Sequence, residues 1–324
     1  MSGEPLLRIE NLNIEYVVLG GTIKAVRNAS FDVNEGEVVC LVGESGSGKS
    51  TIGLAIAGAL SENALIRGGR IISRGRDLTS YNAAESLRKE IMMIFQDPAA
   101  SFNPLFTIGE IMSDVIKTHL KVRDPKMIKE LALRMLRRVE LPEPERILRS
   151  YPHELSGGML QRAIIATALS VDPKLLIADE PTTMLDVTLQ AQILELLLNL
   201  KRDFGLSILF ITHNLGIAAE MGDKIIVLYG GEVVEEASSN ELIRNPLHPY
   251  TRGLLECVPR TSIKYSKLKH IPGMIPDLRS PPSGCIFHER CSEAMEVCRV
   301  IKPPILQVHG DHKVACHLYS RGRR

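Results

Sequence analysis

Three short stretches of this chain combine residue types and spacings that could act on a phosphate ester. The first is Gly43-Glu44-Ser45-Gly46-Ser47-Gly48-Lys49-Ser50-Thr51. It has the form Gly-x-x-x-x-Gly-Lys-Ser, whose glycines let successive backbone N–H groups turn toward an anion. A helix starting just behind it would bring its positive end to the same place. Gly43, Ser45, Gly46, Ser47, Gly48 and Thr51 are therefore candidate nucleotide contacts. Lys49 can reach the β- and γ-phosphates, and the Ser50 hydroxyl can hold Mg²⁺. The second stretch is Asp179-Glu180, which closes the apolar run Leu175-Leu176-Ile177-Ala178. Asp179 suits a Mg²⁺ contact and Glu180 the polarisation of an attacking water, although an acidic pair can also cap a helix start. The third is Leu155-Ser156-Gly157-Gly158, followed by Gln161-Arg162. Gln96 and His213 are weaker signals, since a Gln at a strand end is usually a polar edge and a His there a solvated terminus. Each nevertheless ends a predicted strand at the side that carries the phosphate loop, where ligands of open α/β sheets bind.

A parallel sheet is needed to hold these strand ends together. Glu37 to Val42 reads as a buried strand running into the phosphate loop, and Ile91 to Phe95 as a short one stopped at Pro98. Lys174 to Ala178 and Ser207 to Thr212 are continuous apolar runs, the pattern of strands buried on both faces. Residues 6–40 instead alternate apolar and polar positions, predicting half-exposed antiparallel strands. Thr107 to Arg149 is helical in period, with Leu131, Met135, Leu136 and Val139 on one stripe, and reads as a helical insertion. Met159 to Ser170 and Asp186 to Asp203 read as helices, and Lys224 to Ala237 as a hairpin folded at Gly230-Gly231. Beyond Asn240 prolines multiply, marking a second, loop-rich module.

At 324 residues the chain exceeds one average domain, which predicts a large core with an appendage. A formal net charge of +1 provides no basic field for nucleic acid or an acidic membrane surface. No apolar run approaches the roughly 18 residues of a spanning helix, and the first ten residues lack an apolar signal segment. The expectation is a cytosolic chain whose membrane role comes through a partner.

Four of the six cysteines crowd the end of the chain: Cys285, Cys291, Cys298 and Cys316. Zinc ribbons favour pairs two residues apart, and these intervals are longer. The segment Ser283 to Tyr319 has few large apolar side chains and is of a size that usually needs a staple to fold. Four thiolates suit Zn²⁺ or an iron–sulfur cluster, and spacing leaves both open, beside the plainer reading of four buried thiols. The neighbouring His288, His309, His312 and His317 could substitute as ligands or simply be surface residues.

With the phosphate loop, Gln96, the Ser-Gly-Gly turn, Asp179-Glu180 and His213 in that order, the sequence resembles the ATP-binding cassette (ABC) ATPases. The resemblance implies an α/β fold: a P-loop nucleoside triphosphatase core with an antiparallel β subdomain and a helical subdomain at about 97–160. The nucleotide-binding domain would occupy 1–238. It implies an ATPase whose Mg²⁺ is held by Ser50, Gln96 and Asp179, with Glu180, His213 and Gln96 as the catalytic set and Tyr16 stacked on adenine. Ser156, Gly157, Gly158 and Gln161, with Asp186 of the following Leu185-Asp186 segment, would serve ATP bound by a second subunit.

Phe95-Gln96-Asp97-Pro98, Ser101 with Asn103-Pro104, and Tyr151-Pro152-His153-Glu154-Leu155 narrow the likeness to the subfamily energising oligopeptide, dipeptide and nickel importers. His248-Pro249-Tyr250-Thr251 with Leu254-Leu255, and Pro282-x-Gly284-Cys285-x-Phe287, extend it to nearly the whole chain. This subfamily implies a C-terminal extension over 239–324 with a 4Fe–4S cluster on Cys285, Cys291, Cys298 and Cys316, Zn²⁺ being the alternative. The implied partners are a second ABC ATPase subunit, identical or related, two transmembrane permease subunits and an extracytoplasmic substrate-binding protein. The place of work would be the cytoplasmic face of the membrane, and the cargo a di- or oligopeptide, with oligosaccharide or nickel as other possibilities. Asn214, Met184 and Met159 depart from the commonest family residues without touching a phosphate-contacting side chain. A soluble ABC ATPase of DNA repair or translation is the competing class. It is disfavoured by the lack of a long coiled-coil insertion or second cassette, and by a charge unsuited to nucleic acid.

Overall fold

The computed structural model describes residues 4–79, 89–258 and 270–320. In chain order its strands are β1 (Leu7–Val18), β2 (Gly21–Val33), β3 (Val38–Val42), β4 (Ala64–Ser73), β5 (Arg76–Asp77), β6 (Ile91–Ile94), β7 (Leu175–Asp179), β8 (Ser207–Thr212), β9 (Lys224–Tyr229), β10 (Glu232–Ser238), β11 (Leu306–His309) and β12 (His312–Val314). The chain forms two compact units, divided at 81/82 and 208/209, so that the first is built from both ends of the sequence and the second from its middle.

In the first unit, β1 and β2 form the expected antiparallel pair, and the sheet continues as β2-β1-β4-β5. The alternating sequence of β1 puts Leu7, Ile9, Leu12 and Ile14 inside. The pairing shifts register after Ile9, where Asn11 adopts a left-handed backbone (φ 47°), so the inward pattern resumes at Leu12 rather than at residue 11. The unit's other sheet runs β11-β12-β10-β9-β3. β3 and β9 are parallel, β9 and β10 form the antiparallel hairpin turned at Gly230-Gly231, and every residue of β3 is buried. The C-terminal residues, read from sequence as loop-rich, contribute β11 and β12, and β12 pairs antiparallel with β10. Their brevity hid them: strands of four and three residues are too short for an alternating pattern to register.

In the second unit, β6 and β7 pair in parallel, Ile91 opposite Leu175 and Ile94 opposite Ala178. Helices Ile108–Leu120 and Pro125–Arg138 form most of the helical stretch, burying Ile108, Met112 and Ile116 on one and Ile128, Ala132, Met135 and Leu136 on the other. Their starts are written in the sequence. Thr107 and Glu110 make a reciprocal capping box, and Asp124 accepts the Lys126 N–H ahead of Pro125 in the first turn. Helices Gly157–Leu169 and Val187–Phe204 complete the unit's longer elements. No helix of the described residues is long and apolar enough to cross a membrane.

Candidate nucleotide site

The phosphate loop follows β3 directly and leads into helix Lys49–Ala57. The chain can make this turn only with glycine at key points. A Cβ at Gly43 would stand 2.2 Å from the Leu228 carbonyl oxygen of β9, and Gly48 has φ 97° with its would-be Cβ 2.4 Å from the Ala25 oxygen. Lys49 is buried and its ammonium donates to the Gly43 and Glu44 carbonyls at 2.8 and 2.9 Å. The cation is thus held over the loop by the loop's own oxygens, at the place an anion would approach. Ser47 is buried, while Ser45 and Gly46 are exposed at the turn and Ser50 is half-buried at the helix start. Tyr16, half-buried in β1, lies with its hydroxyl 3.4 Å from that of Thr51.

Glu44 is the loop's one carboxylate, and every polar group it has is engaged. Its N–H donates to the Tyr250 hydroxyl (2.9 Å), its carbonyl accepts from Lys49 and from the Ser47 N–H, and its carboxylate takes both arms of Arg290 at 2.6 and 3.0 Å. Burial, with the Glu44 charge beside it, pushes the Tyr250 phenol above its ordinary range and keeps it a neutral hydroxyl. Sequence reasoning missed these partners. Tyr250 was visible only as part of His248-Pro249-Tyr250-Thr251, and no motif or spacing singled out Arg290.

In the second unit, Asp179 ends β7 buried, and Glu180 follows half-buried with a left-handed backbone, φ 45°. The Glu180 carboxylate accepts from the Thr183 hydroxyl at 2.9 Å and from the Gln96 amide at 3.3 Å. The structure thus brings Gln96 and Glu180 together, as two residues 84 positions apart that meet at the ends of paired strands β6 and β7. An orienting pair of donors on a carboxylate suits a group that must accept a proton or hold a water in one direction.

Ser156 caps helix Gly157–Leu169, its hydroxyl accepting the Met159 N–H at 3.4 Å. Ser156 and Gly157 are exposed, whereas Gly158 packs on Leu189, whose Cδ2 would stand 3.1 Å from an added Cβ. Gln161 departs from the expectation set for it. It is wholly buried, because it falls on the inward face of that helix, and its side-chain amide has no hydrogen-bond partner. Asp186 is exposed and caps helix Val187–Phe204, accepting from the Thr188 and Leu189 N–H groups. His213, in the first unit, is exposed at the end of β8. The unusual Asn214 beside it caps helix Leu215–Met221 through the Gly216 N–H at 2.9 Å, the service an Asp would perform.

The four C-terminal cysteines are free thiols, Cys285, Cys298 and Cys316 buried and Cys291 half-buried. They lie near enough for each charge to oppose the next. Burial first, then the neighbouring thiols, push Cys285 up to about 12 and Cys316 up to about 11. Cys285, Cys291 and Cys316 each also receive a backbone hydrogen bond, from Phe287, Glu293 and Leu318, which favours a thiolate. The donor set therefore has the chemistry of a soft-metal site. Among the described residues no group of three or more His, Cys, Asp or Glu side chains is disposed to hold a metal ion as the chain stands. The expected metal or iron–sulfur module is observed as a cysteine cluster.

A Gly-rich loop between a buried strand and a helix, an acidic strand end oriented by a Gln, and a Ser-capped Gly-Gly helix start define a nucleotide-hydrolysing cassette of the ABC type. Known proteins bear this out. Residues 26–183 match the family described as ABC transporter, and residues 234–298 match the oligopeptide/dipeptide transporter C-terminal region. Among solved structures, the chain is similar to cbiO1 from Clostridium perfringens, with TM-score 0.64 and 26% identity over 75% of this chain and 92% of that one. It is equally similar to the cassette MJ0796, solved as a dimer with ADP and phosphate in a post-hydrolysis state, with TM-score 0.64 and 29% identity over 72% and 98%. The chain belongs to the ABC transporter ATP-binding family and is an ATPase of that family.

Among individual relatives, the dipeptide transport ATP-binding protein DppD of Caldanaerobacter subterraneus subsp. tengcongensis is 44% identical over 98% of both chains. The oligopeptide transport ATP-binding protein AppD of Bacillus subtilis is 44% identical over 97% of each.

Proposed function

We propose that this chain powers a peptide importer, binding and hydrolysing ATP on behalf of membrane permeases that carry di- or oligopeptides. The observation that carries this reading is the C-terminal region. Its match to the oligopeptide/dipeptide transporter type, with 44% identity to DppD and AppD along nearly the full length, separates it from cassettes of other transport systems. Oligosaccharide and nickel are the remaining cargo classes. The nucleotide-binding domain is assigned to 1–238, its helical subdomain to about 97–160, and the transporter-type extension to 239–324.

In this reading Gly43 to Thr51 cradle the ATP phosphates, with Lys49 on the β- and γ-phosphates, and Tyr16 stacks on adenine. Ser50, Gln96 and Asp179 are the residues to hold Mg²⁺, which neutralises the transferring phosphate when bound. Glu180 accepts the proton of the attacking water, and His213 donates to the γ-phosphate. Ser156, the amides of Gly157 and Gly158, and Asp186 face the nucleotide of a second ATPase subunit, identical or related. Two such subunits close on ATP beneath two permease subunits at the cytoplasmic face of the membrane, and a substrate-binding protein outside delivers the cargo. Cys285, Cys291, Cys298 and Cys316 are proposed to take up a 4Fe–4S cluster, or Zn²⁺ in its place. Such a centre would staple a segment with little core of its own.

Glu180→Gln tests the catalytic assignment in the assembled transporter. Loss of a general base lowers turnover by about 10²–10⁴-fold, and ATP should then hold the two ATPase subunits together on a sizing column. Turnover within about threefold of the parent would remove Glu180 from that role.

A further inference from the structure

The C-terminal extension reaches the phosphate loop through one side chain. Arg290 ends a short 3-10 turn, His288–Arg290, between Cys285 and Cys291, and its side chain is only 5% exposed. A guanidinium has five N–H donors in a rigid fork, and here the fork is fully used. Nε donates to the Pro272 carbonyl at 2.8 Å. Nη1 donates to the Glu44 carboxylate at 2.6 Å and the Tyr229 hydroxyl at 3.2 Å. Nη2 donates to the other Glu44 oxygen at 3.0 Å and the Ile271 carbonyl at 3.1 Å. The guanidinium also lies over the Tyr229 ring, 5.6 Å from its centre.

The seat of this arginine is made by Tyr229 of β9 and by residues that mark the extension. Tyr229, Tyr250 and Phe287 meet edge to face or tilted at 4.7 to 5.3 Å, and His248 joins them at 5.6 Å from Phe287. Tyr250 itself takes the Glu44 N–H. Two residues of the extension, Tyr250 and Arg290, thus grip the second residue of the phosphate loop by its backbone and by its charge.

We propose that Arg290 is a positioning residue for nucleotide binding: it holds and neutralises the loop's only carboxylate, fixing the loop in the form that accepts an anionic phosphate chain. Without Arg290, Glu44 would present an unpaired negative charge within a residue of the phosphate cradle. At the effective dielectric of a half-buried site, such a charge weakens anion binding on the order of tenfold. Glu180 and the other hydrolytic candidates lie elsewhere in the chain, so the effect falls on nucleotide affinity and not on the chemical step. The inference rests on reading Gly43 to Ser50 as the phosphate loop, and a Lys49→Ala control tests that reading separately.

The experiment measures binding of a fluorescent ATP analogue with Mg²⁺ to the full chain, and the KM and kcat for ATP of the assembled transporter. Arg290→Ala should raise both Kd and KM about tenfold while kcat stays within about threefold. Arg290→Lys, with three donors and no fork, should fall between. The deciding variant is R290A/E44Q: removing the stranded charge should return Kd to within about threefold of the parent. If R290A only lowers the melting temperature and leaves KM unchanged, or if the double variant binds no better than R290A, the proposal is overturned. A Lys49→Ala chain that binds ATP normally would overturn the loop assignment, and the proposal with it. Defective Lys49→Ala beside normal R290A overturns the proposal alone.

Discussion

His248 makes the extension's hold on the phosphate loop sensitive to acid, and the size of the effect follows from its surroundings. The side chain is 1% exposed and caps helix Pro249–Cys257, its Nδ1 accepting the Tyr250 N–H at 3.1 Å. A proton on Nδ1 would remove that acceptor and place a charge in a dry site. Burial therefore pushes His248 down to about 4, against the opposing pull of the Glu235 carboxylate and with a smaller push from Arg252. In the unfolded chain the ring takes its proton near pH 6.5. The folded pKa is the lower one, so the contribution is complete above about pH 6.5 and is lost as pH falls toward 4. Between pH 7.5 and 5 the single group removes about 2 kcal/mol of stability, from one proton taken up over roughly one and a half pH units at about 1.4 kcal/mol each. The assay is urea unfolding of the full chain across that range, followed by tryptophan-free probes such as far-ultraviolet circular dichroism. The His248→Asn chain serves as reference, because Asn can cap but does not titrate. The parent should lose about 2 kcal/mol more than the variant. Parallel stability curves for the two chains would refute the reasoning.

Two further outcomes are expected. Gly43→Ala forces a Cβ to within 2.2 Å of the Leu228 carbonyl, so β3 or β9 must move; stability should fall by about 1–3 kcal/mol and ATP affinity by at least tenfold, read by unfolding and by binding of the fluorescent analogue. Chain purified without air should carry about four iron atoms with absorption near 400 nm, or one zinc, and Cys285→Ser should lose that metal; a metal-free chain of full stability would leave the four cysteines as buried thiols.

Much of the core was legible because its signals are local. A continuous apolar run such as Leu175 to Ala178 can bury both faces only as an inner strand, and it does so as β7. Thr107, Asp124, Ser156 and Asp186 start helices because a short oxygen-bearing side chain satisfies amides two or three residues ahead. What escaped was non-local or short. β4, between β1 and β5 in its sheet, carries Gly68-Gly69 in its middle and reads poorly as a strand. β11 and β12 gain their meaning only from β10.

The sequence by itself determined the cassette: the phosphate loop, the acidic strand end and the Ser-Gly-Gly helix start are each contiguous, and their chemistry follows from residue type and spacing. Tertiary structure decided which partners those motifs keep. Only folding could show that Gln96 orients Glu180, that Gln161 faces inward, and that Glu44 meets Arg290 from 246 positions away. Such pairs depend on how strands and loops from distant parts of the chain converge, and the same residue types occur along the sequence without doing so. The four cysteines show the division most clearly. Their number suggests a metal, and the fold brings them together as interacting thiols next to an arginine that grips the phosphate loop.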